Sequence, residues 1–295
     1  MISIVITSFN EPKTVGKAID SFLSQKIRKK FELIVVAPDK GTEDIVRRFS
    51  QKNKQVRYFK DPGKGKSYAL NLIIPKLRGE ILVFTDGDLF VSRNSLNEIL
   101  KKFEDPRVGC VSARPVPMED KKTKYGYFAN FLFDSAHKLR KKSENKFGFV
   151  ECSGYLWAFR NNVITSFPVD VAEDTIVPCL FYLKGYKIAY APKAEVYVKN
   201  VTNLKDWLKQ KIRTTKAHET LLKYVDVKRV PRSKSFLNEL FGGFYLFTYP
   251  KKIREVFWTL DLFFLRLYMW VAVFYHTKIK KKRYSDAWER INSTK

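Results

Sequence analysis

Cysteine and histidine are scarce in this chain of 295 residues, with three of each: Cys110, Cys152 and Cys179, and His137, His218 and His276. The cysteines stand 42 and 27 residues apart, so no CxxC pair and no disulfide framework is present, and a reducing compartment is expected. No histidine lies at zinc-ligand spacing from a cysteine, so any metal here should be held by oxygen. Glycine-rich phosphate loops are missing too. The first apolar run is followed by Thr7-Ser8-Phe9-Asn10, without the GxGxxG of dinucleotide enzymes. Gly65-Lys66-Ser67 lacks the upstream glycine of a Walker loop, because position 60 is Lys60. Nicotinamide, flavin and Walker-type ATP chemistry therefore drop out. No basic and apolar leader precedes the run at residues 2–6, so export by this end is not expected.

Acidic residues are also in short supply: 30 against 56 Lys and Arg, a net charge of +26. Such an excess points to a polyanionic partner. Residues 205–295 carry 21 basic and 8 acidic side chains, half of the net charge in less than a third of the chain. The same stretch holds the aromatic and aliphatic runs, which favours an anionic membrane surface over nucleic acid. With 45% hydrophobic and 29% charged residues the chain fits a folded, partly soluble protein.

From the start, apolar runs alternate with helical patterns. Strands are expected at residues 2–7, 31–36, 56–59 and 81–85, with helices after Pro12 and near 42–52 and 66–77. Pro12 suits a first helical position, with Asn10 nearby as a capping candidate. A helix near 92–103, a strand near 108–113 and a helical stretch near 124–139 follow. This rhythm predicts an α/β, Rossmann-like domain whose mostly parallel central sheet has helices on both faces. Open parallel sheets bind ligands beyond the carboxyl ends of their strands, so the polar residues there are the ones to read: residues 7–11, Asp39, residues 61–66, and Asp86 with Asp88.

Asp86-Gly87-Asp88 follows a strand directly. Two hard carboxylates at a ligand-binding edge suit Mg²⁺ or Mn²⁺, which complete their shells with phosphates and water. The same three residues also make a good turn, and taken alone both readings stand. In order along the chain, Ile6 to Glu11, Asp39 with Gly41-Thr42-Glu43-Asp44, Gly65-Lys66-Ser67-Tyr68-Ala69-Leu70-Asn71, and Asp86-Gly87-Asp88 resemble the inverting family 2 glycosyltransferases of GT-A fold. The resemblance implies a donor site formed by Thr7, Ser8, Glu11, Asp39, Gly65, Lys66, Asp86 and Asp88, with Asp39 at uracil and Asp86 and Asp88 on the metal. Pro38-Asp39-Lys40 departs from the paired acids usual in that family.

Downstream, Ser153-Gly154 through Arg160 resembles the stretch lining the sugar side of the pocket. Glu173-Asp174 before an apolar helix is similar to the family's ED motif, which makes Asp174 the expected general base and places Glu173 and Gly154 near acceptor or diphosphate. Without the resemblance, an acid just before a helix reads as a cap. Gln210 and Arg213, i and i+3 on one helix, resemble the QxxRW motif of membrane-embedded cellulose and hyaluronan synthases, with Thr214 in place of its tryptophan. An ordinary basic helix is the other reading there.

Residues 236–249 form an apolar, aromatic run too short to span a bilayer. Residues 256–276 are long enough, but Asp261 and Arg266 would each cost on the order of 2.5–3.5 kcal/mol at its centre. Lys251, Lys252 and Arg254 precede that stretch, and Lys278, Lys280, Lys281, Lys282 and Arg283 follow it, so a single crossing strands one basic cluster outside. Helices lying on the cytoplasmic side of the cell membrane are therefore expected, with one span or a second soluble core as alternatives.

The expectation is a catalytic domain over residues 1–225 and a membrane-associated helical tail over 226–295. The expected activity is inverting, metal-dependent transfer of a sugar from a nucleotide diphosphate donor, UDP-linked by the resemblance, to a lipid-linked or surface-glycan acceptor. Two rivals are a sugar nucleotidyltransferase, which should open with a glycine-rich loop, and a non-catalytic basic module binding membrane or nucleic acid.

Overall fold

The computed structural model describes residues 1–27, 29–231 and 248–275, except for the side chains of 216–219 and 227. Strands β1 (Ile2–Thr7), β2 (Phe31–Ala37), β3 (Val56–Lys60) and β4 (Ile81–Asp86) are connected through helices α1 (Val15–Leu23), α2 (Lys40–Lys52) and α3 (Lys66–Ile73). There follow β5 (Phe90–Val91), α4 (Ser95–Lys102), β6 (Val108–Pro117), α5 (Lys124–Phe147), β7 (Leu156–Arg160), α6 (Glu173–Leu183), β8 (Lys187–Val198), α7 (Leu204–Thr220) and α8 (Ile253–Phe274).

All eight strands share one mixed sheet in the order β3-β2-β1-β4-β7-β6-β8-β5. The first four pair in parallel, and so do β6 and β8. β7 runs antiparallel between β4 and β6, and β5 runs antiparallel beside β8. The inner strands are covered on both faces, which is why they read as unbroken apolar runs. Ile2, Ile4 and Ile6 of β1 pack with Val15, Ile19 and Phe22 of α1 on one face. Val5 packs on the other with Leu70 and Ile73 of α3 and Ile176 and Phe181 of α6. This is the expected α/β architecture with helices on both faces.

α1 begins three residues later than Pro12 suggests. Asn10 leaves β1 in the left-handed region at φ 56° and does not cap the helix; Thr14 is the N-cap, and the Thr14 and Val15 amides donate to the Glu11 carbonyl. The turn is dictated by tertiary contact, since the Asn10 amide donates to Asp39 Oδ2 at 2.6 Å, across 29 residues.

A third cluster lies away from the sheet. Tyr127, Phe128 and Phe131 of α5, Trp207 of α7 and Leu262 of α8 form it. α8 is tied to α5 by a hydrogen bond between Tyr127 and Thr259 of 2.6 Å and by the Lys124–Asp261 ion pair, and to α7 by Thr215 against Met269 Sδ at 3.4 Å. The run at 236–249, except its last two residues, and the basic cluster at 278–283 lie outside the described residues.

Candidate active site

Sheet order gathers the candidate residues. β1 and β4 are parallel neighbours with Thr7 opposite Asp86, so their carboxyl ends open on one edge. β7 runs the other way with Leu156 opposite Thr85, so the loop that precedes it, residues 153–155, arrives at that same edge. The first turn of α6 then closes the edge with Glu173 and Asp174.

Asp86 Oδ1 accepts from Thr7 Oγ1 at 2.8 Å and pairs with Lys66 Nζ at 2.6 Å. Lys66 also pairs with Glu173 Oε1 at 2.9 Å and reaches the Gly154 carbonyl at 3.5 Å. An ammonium has three N–H bonds, and these three acceptors use them all. The Lys66 side chain is 14% exposed and that of Glu173 6%, so the pair is held in a medium where attraction is strong. Burial alone would lower the Lys66 pKa, but the attraction of Asp86 and Glu173, with hydrogen bonds to both, leaves it well above the ordinary value. Glu173 is therefore turned to Lys66, and the bridge ties the end of β4 to the start of α6.

Two glycines make close approaches at the site. A Cβ on Gly87 would stand 2.6 Å from Ser8 Oγ and 2.9 Å from Glu11 Oε2, while the Gly87 amide donates to the Thr7 carbonyl at 2.8 Å. Ser8 Oγ in turn donates to Glu11 Oε2 at 2.9 Å, so Thr7, Ser8 and Glu11 wrap the Asp86-Gly87-Asp88 turn. A Cβ on Gly154 would stand 2.9 Å from Asp174 Oδ2. Asp174 does not cap its helix: the N-cap is Ala172, and Asp174 sits in the first turn with its carboxylate against the Gly154 backbone.

Tyr155 joins these groups and carries no motif of its own in the sequence. Burial pushes its phenol up to about 12, helped by the negative field of Asp88, Asp86 and Asp174, with Arg213 pulling the other way. One ring therefore senses both carboxylates of the DxD turn, the expected base and a cation from α7. Its carbonyl accepts from Thr85 Oγ1 at 2.7 Å and its ring stacks on Phe133. Only its place beside Gly154, ahead of a strand, could have signalled it.

Asp39 caps α2. Its Oδ1 accepts from the Thr42 amide at 2.9 Å, and its Oδ2 from the Asn10 amide at 2.6 Å and Thr42 Oγ1 at 3.0 Å. Gly65 precedes α3 at φ 111°, a conformation reserved for glycine. Gln210 lines a shallow groove between α5 and α7 with Tyr125, Leu132, Trp207 and Lys211, whereas Arg213 acts on Tyr155.

Among the described residues no group of three or more His, Cys, Asp and Glu side chains is arranged to hold a metal. Asp86 and Asp88 offer a pair of carboxylates. That set fits a hard divalent ion of the kind bound through one or two carboxylates with phosphate and water, and it does not fit a closed all-protein cage.

The sequence profile of Glycosyl transferase family 2 matches residues 3–165. The poly-beta-1,6-N-acetyl-D-glucosamine synthase of Staphylococcus aureus is 24% identical over 231 residues, 75% of this chain, and the chain spans only 56% of that relative's length. A probable glycosyltransferase of Bacillus subtilis, YdaM, is 24% identical over 299 residues, covering 93% of this chain and 71% of the relative. In structure the chain is similar to the mannosyltransferase PcManGT from Pyrobaculum calidifontis, solved with GDP-Man and Mn²⁺, at a TM-score of 0.67 and 19% identity over 95% of this chain and 88% of that one. It is also similar to S. aureus TarS 1-349 with UDP-GlcNAc, at 0.53 and 16% over 88% and 79%. The structural likenesses show the GT-A fold. With a profile match over more than half its length and the four motifs at the ends of successive strands, the chain belongs to glycosyl transferase family 2.

Proposed function

We propose that the chain is an inverting glycosyltransferase, moving a sugar from a nucleotide diphosphate donor, a UDP-sugar, to a lipid-linked or surface-glycan acceptor on the cytoplasmic side of the cell membrane. The convergence on one sheet edge of Asp86 and Asp88, the Lys66–Glu173 bridge and Asp174 behind Gly154 carries this reading. UDP-GlcNAc is the ligand named for TarS, and N-acetylglucosamine is the unit named for the S. aureus synthase, which together favour UDP over GDP. In this reading residues 1–225 are the catalytic domain and 226–295 the membrane-associated tail.

Asp39 serves the base. Its four lone-pair sites accept three hydrogen bonds, which leaves one for a base N–H. Thr7, Ser8, Glu11 and Gly65 shape the pocket for the nucleotide. Asp88 and Asp86 would hold Mg²⁺ or Mn²⁺, whose chemistry is to neutralise the diphosphate as it leaves. Lys66 keeps Asp86 and Glu173 in place. Arg213 adds positive charge on the diphosphate side, and Gln210 and Gly154 contact the acceptor or diphosphate. Asp174 takes the proton of the acceptor hydroxyl as it attacks the anomeric carbon. Attack comes from the face away from the diphosphate, so the configuration inverts.

A donor screen tests this. UDP-GlcNAc, UDP-glucose and GDP-mannose are offered with Mg²⁺ or Mn²⁺, with and without membrane lipid extract, and release of nucleoside diphosphate is scored. Saturable release from a UDP-sugar that rises with lipid extract is expected. Release from GDP-mannose alone would overturn the donor assignment, and no release from any donor would overturn catalysis.

A further inference from the structure

α8 presents two faces of opposite use along its whole length. Ten apolar residues between Ile253 and Tyr275 are exposed, with Phe257 at 66%, Phe264 at 62% and Phe274 at 60%. At about 100° per residue they fall within an arc of about 120° on the helix. Diametrically opposite, Thr259, Leu262, Met269 and Val273 are buried against α5 and α7. By length and composition, α8 is long and apolar enough to cross a membrane. Its packing does not suit a crossing. A spanning α8 would draw the start of α5, which packs on it through Tyr127, towards hydrocarbon, and charged groups there are costly to bury in lipid. The Lys124–Asp261 pair, set between the two helices, would go with it.

Soluble proteins do not leave an apolar stripe of this length uncovered. Charge chooses its occupant. The chain carries +26, which repels a second copy and attracts an anionic surface. Exposed Lys251, Lys252 and Arg254 stand at the start of the stripe, with Arg254 over the Trp258 ring at 5.3 Å, the pairing of basic and aromatic groups that suits a headgroup layer.

We infer that α8 lies flat in the surface of an anionic membrane, with the stripe centred on Phe257, Leu260, Phe264 and Val271 inserted and the opposite face bolted to the catalytic domain. α7 touches α8 through Thr215 and Met269, and the charge of its Arg213 acts on Tyr155 at the site. This extends the proposed lipid-linked acceptor: its head group reaches Asp174 while its chain stays in the membrane.

The test uses the full chain and vesicles of phosphatidylcholine with or without phosphatidylglycerol. Flotation with the anionic vesicles only is expected, and Phe257→Glu with Phe264→Glu should reduce it at least tenfold. That double variant should still release nucleoside diphosphate from donor in detergent, which separates failure of docking from failure of catalysis. Spin labels on Phe257→Cys, Phe264→Cys and Val271→Cys, placed one at a time while the native cysteines stay buried, should report one common depth, because the helix lies flat. Depths graded over about 21 Å, the rise of fourteen helical residues, would mean a span and overturn the inference. Absence of flotation would overturn it as well, and light scattering by a dimer would then name a second copy as the occupant. Undiminished flotation of the double variant would place the membrane contact elsewhere.

Discussion

The edge of the sheet at Asp86 hides charge, whereas α8 displays apolar rings. At the edge, the side chains of Lys66 and Glu173 are almost withdrawn from water, and they face each other while the ammonium also meets Asp86 and a carbonyl. On α8, Phe257 and Phe264 remain in water although a helix can turn such groups inward, because its inward face is already filled by Leu262, Met269 and Val273. Charge is buried only where partners satisfy it locally. Apolar surface is left open only where something outside the chain covers it. The first region should therefore be intolerant of any single change, and the second tolerant in solution and sensitive only where a membrane is present.

The sharpest test of that contrast is Asp174→Asn. In the proposed mechanism the amide cannot take a proton, so transfer should fall by about 10³-fold or more while donor affinity, read by calorimetry, stays near wild type. Retention of most of the transfer rate at saturating acceptor would return Asp174 to a structural part. Asp88→Asn should lower turnover at least about 100-fold by removing a charged oxygen ligand, and should weaken the dependence of donor binding on Mn²⁺. Unchanged metal-dependent binding would reduce the Asp86-Gly87-Asp88 segment to a turn.

Lys66→Met leaves Glu173 buried without its partner and should cost about 3 kcal/mol in urea unfolding. Adding Glu173→Leu should recover much of that loss, since both charges are then gone; additive losses would break the claim that the bridge satisfies itself. His137 offers a milder probe between the two regions. Burial, then the charges of Arg114 and Lys141, lower its pKa from 6.5 to about 4, and its Nδ1 meets the Tyr190 hydroxyl at 2.7 Å. Between those values the unfolded chain binds a proton that the folded one refuses. Stability should thus fall as pH drops from about 6.5 towards 4 and be unaffected by this group above that window. Comparing unfolding at pH 5 and pH 7, the drop should shrink in His137→Asn. Smallest of all, Phe257→Ala on the open face of α8 should change stability by less than about 0.5 kcal/mol without lipid, and a larger loss would show that the ring packs inward.

Much of the edge was legible because it sits at strand ends. β1 could be read from its apolar run, Asp39 from its place before α2, and the Asp86-Gly87-Asp88 turn from its position after β4. β7 carries no strand signal of its own. Its five residues, Leu156 to Arg160, form a short apolar run whose periodicity does not separate strand from buried helix, and its antiparallel insertion between β4 and β6 leaves no local mark. The second half of α5 was missed for a different reason. Beyond Leu139 it has little apolar periodicity, and its polar residues are held by distant ones: Arg140 donates to the Glu151 carbonyl, and Glu144 accepts from Lys102 and from the Tyr190 amide. Gly148, left-handed at φ 60°, was the readable stop signal.

Local sequence determined which residues could carry oxygen chemistry and in what order the strand ends would present them, because strand and turn preferences act over a few residues. It also fixed the excess of positive charge. Only the tertiary structure decided that Lys66 is spent on Asp86 and Glu173, that Gly154 lies against Asp174, that Tyr155 feels the field of the acids, and which face of α8 is free. Those facts join residues more than 100 positions apart, and such pairings depend on which element lies beside which. No run of neighbouring residues encodes that order.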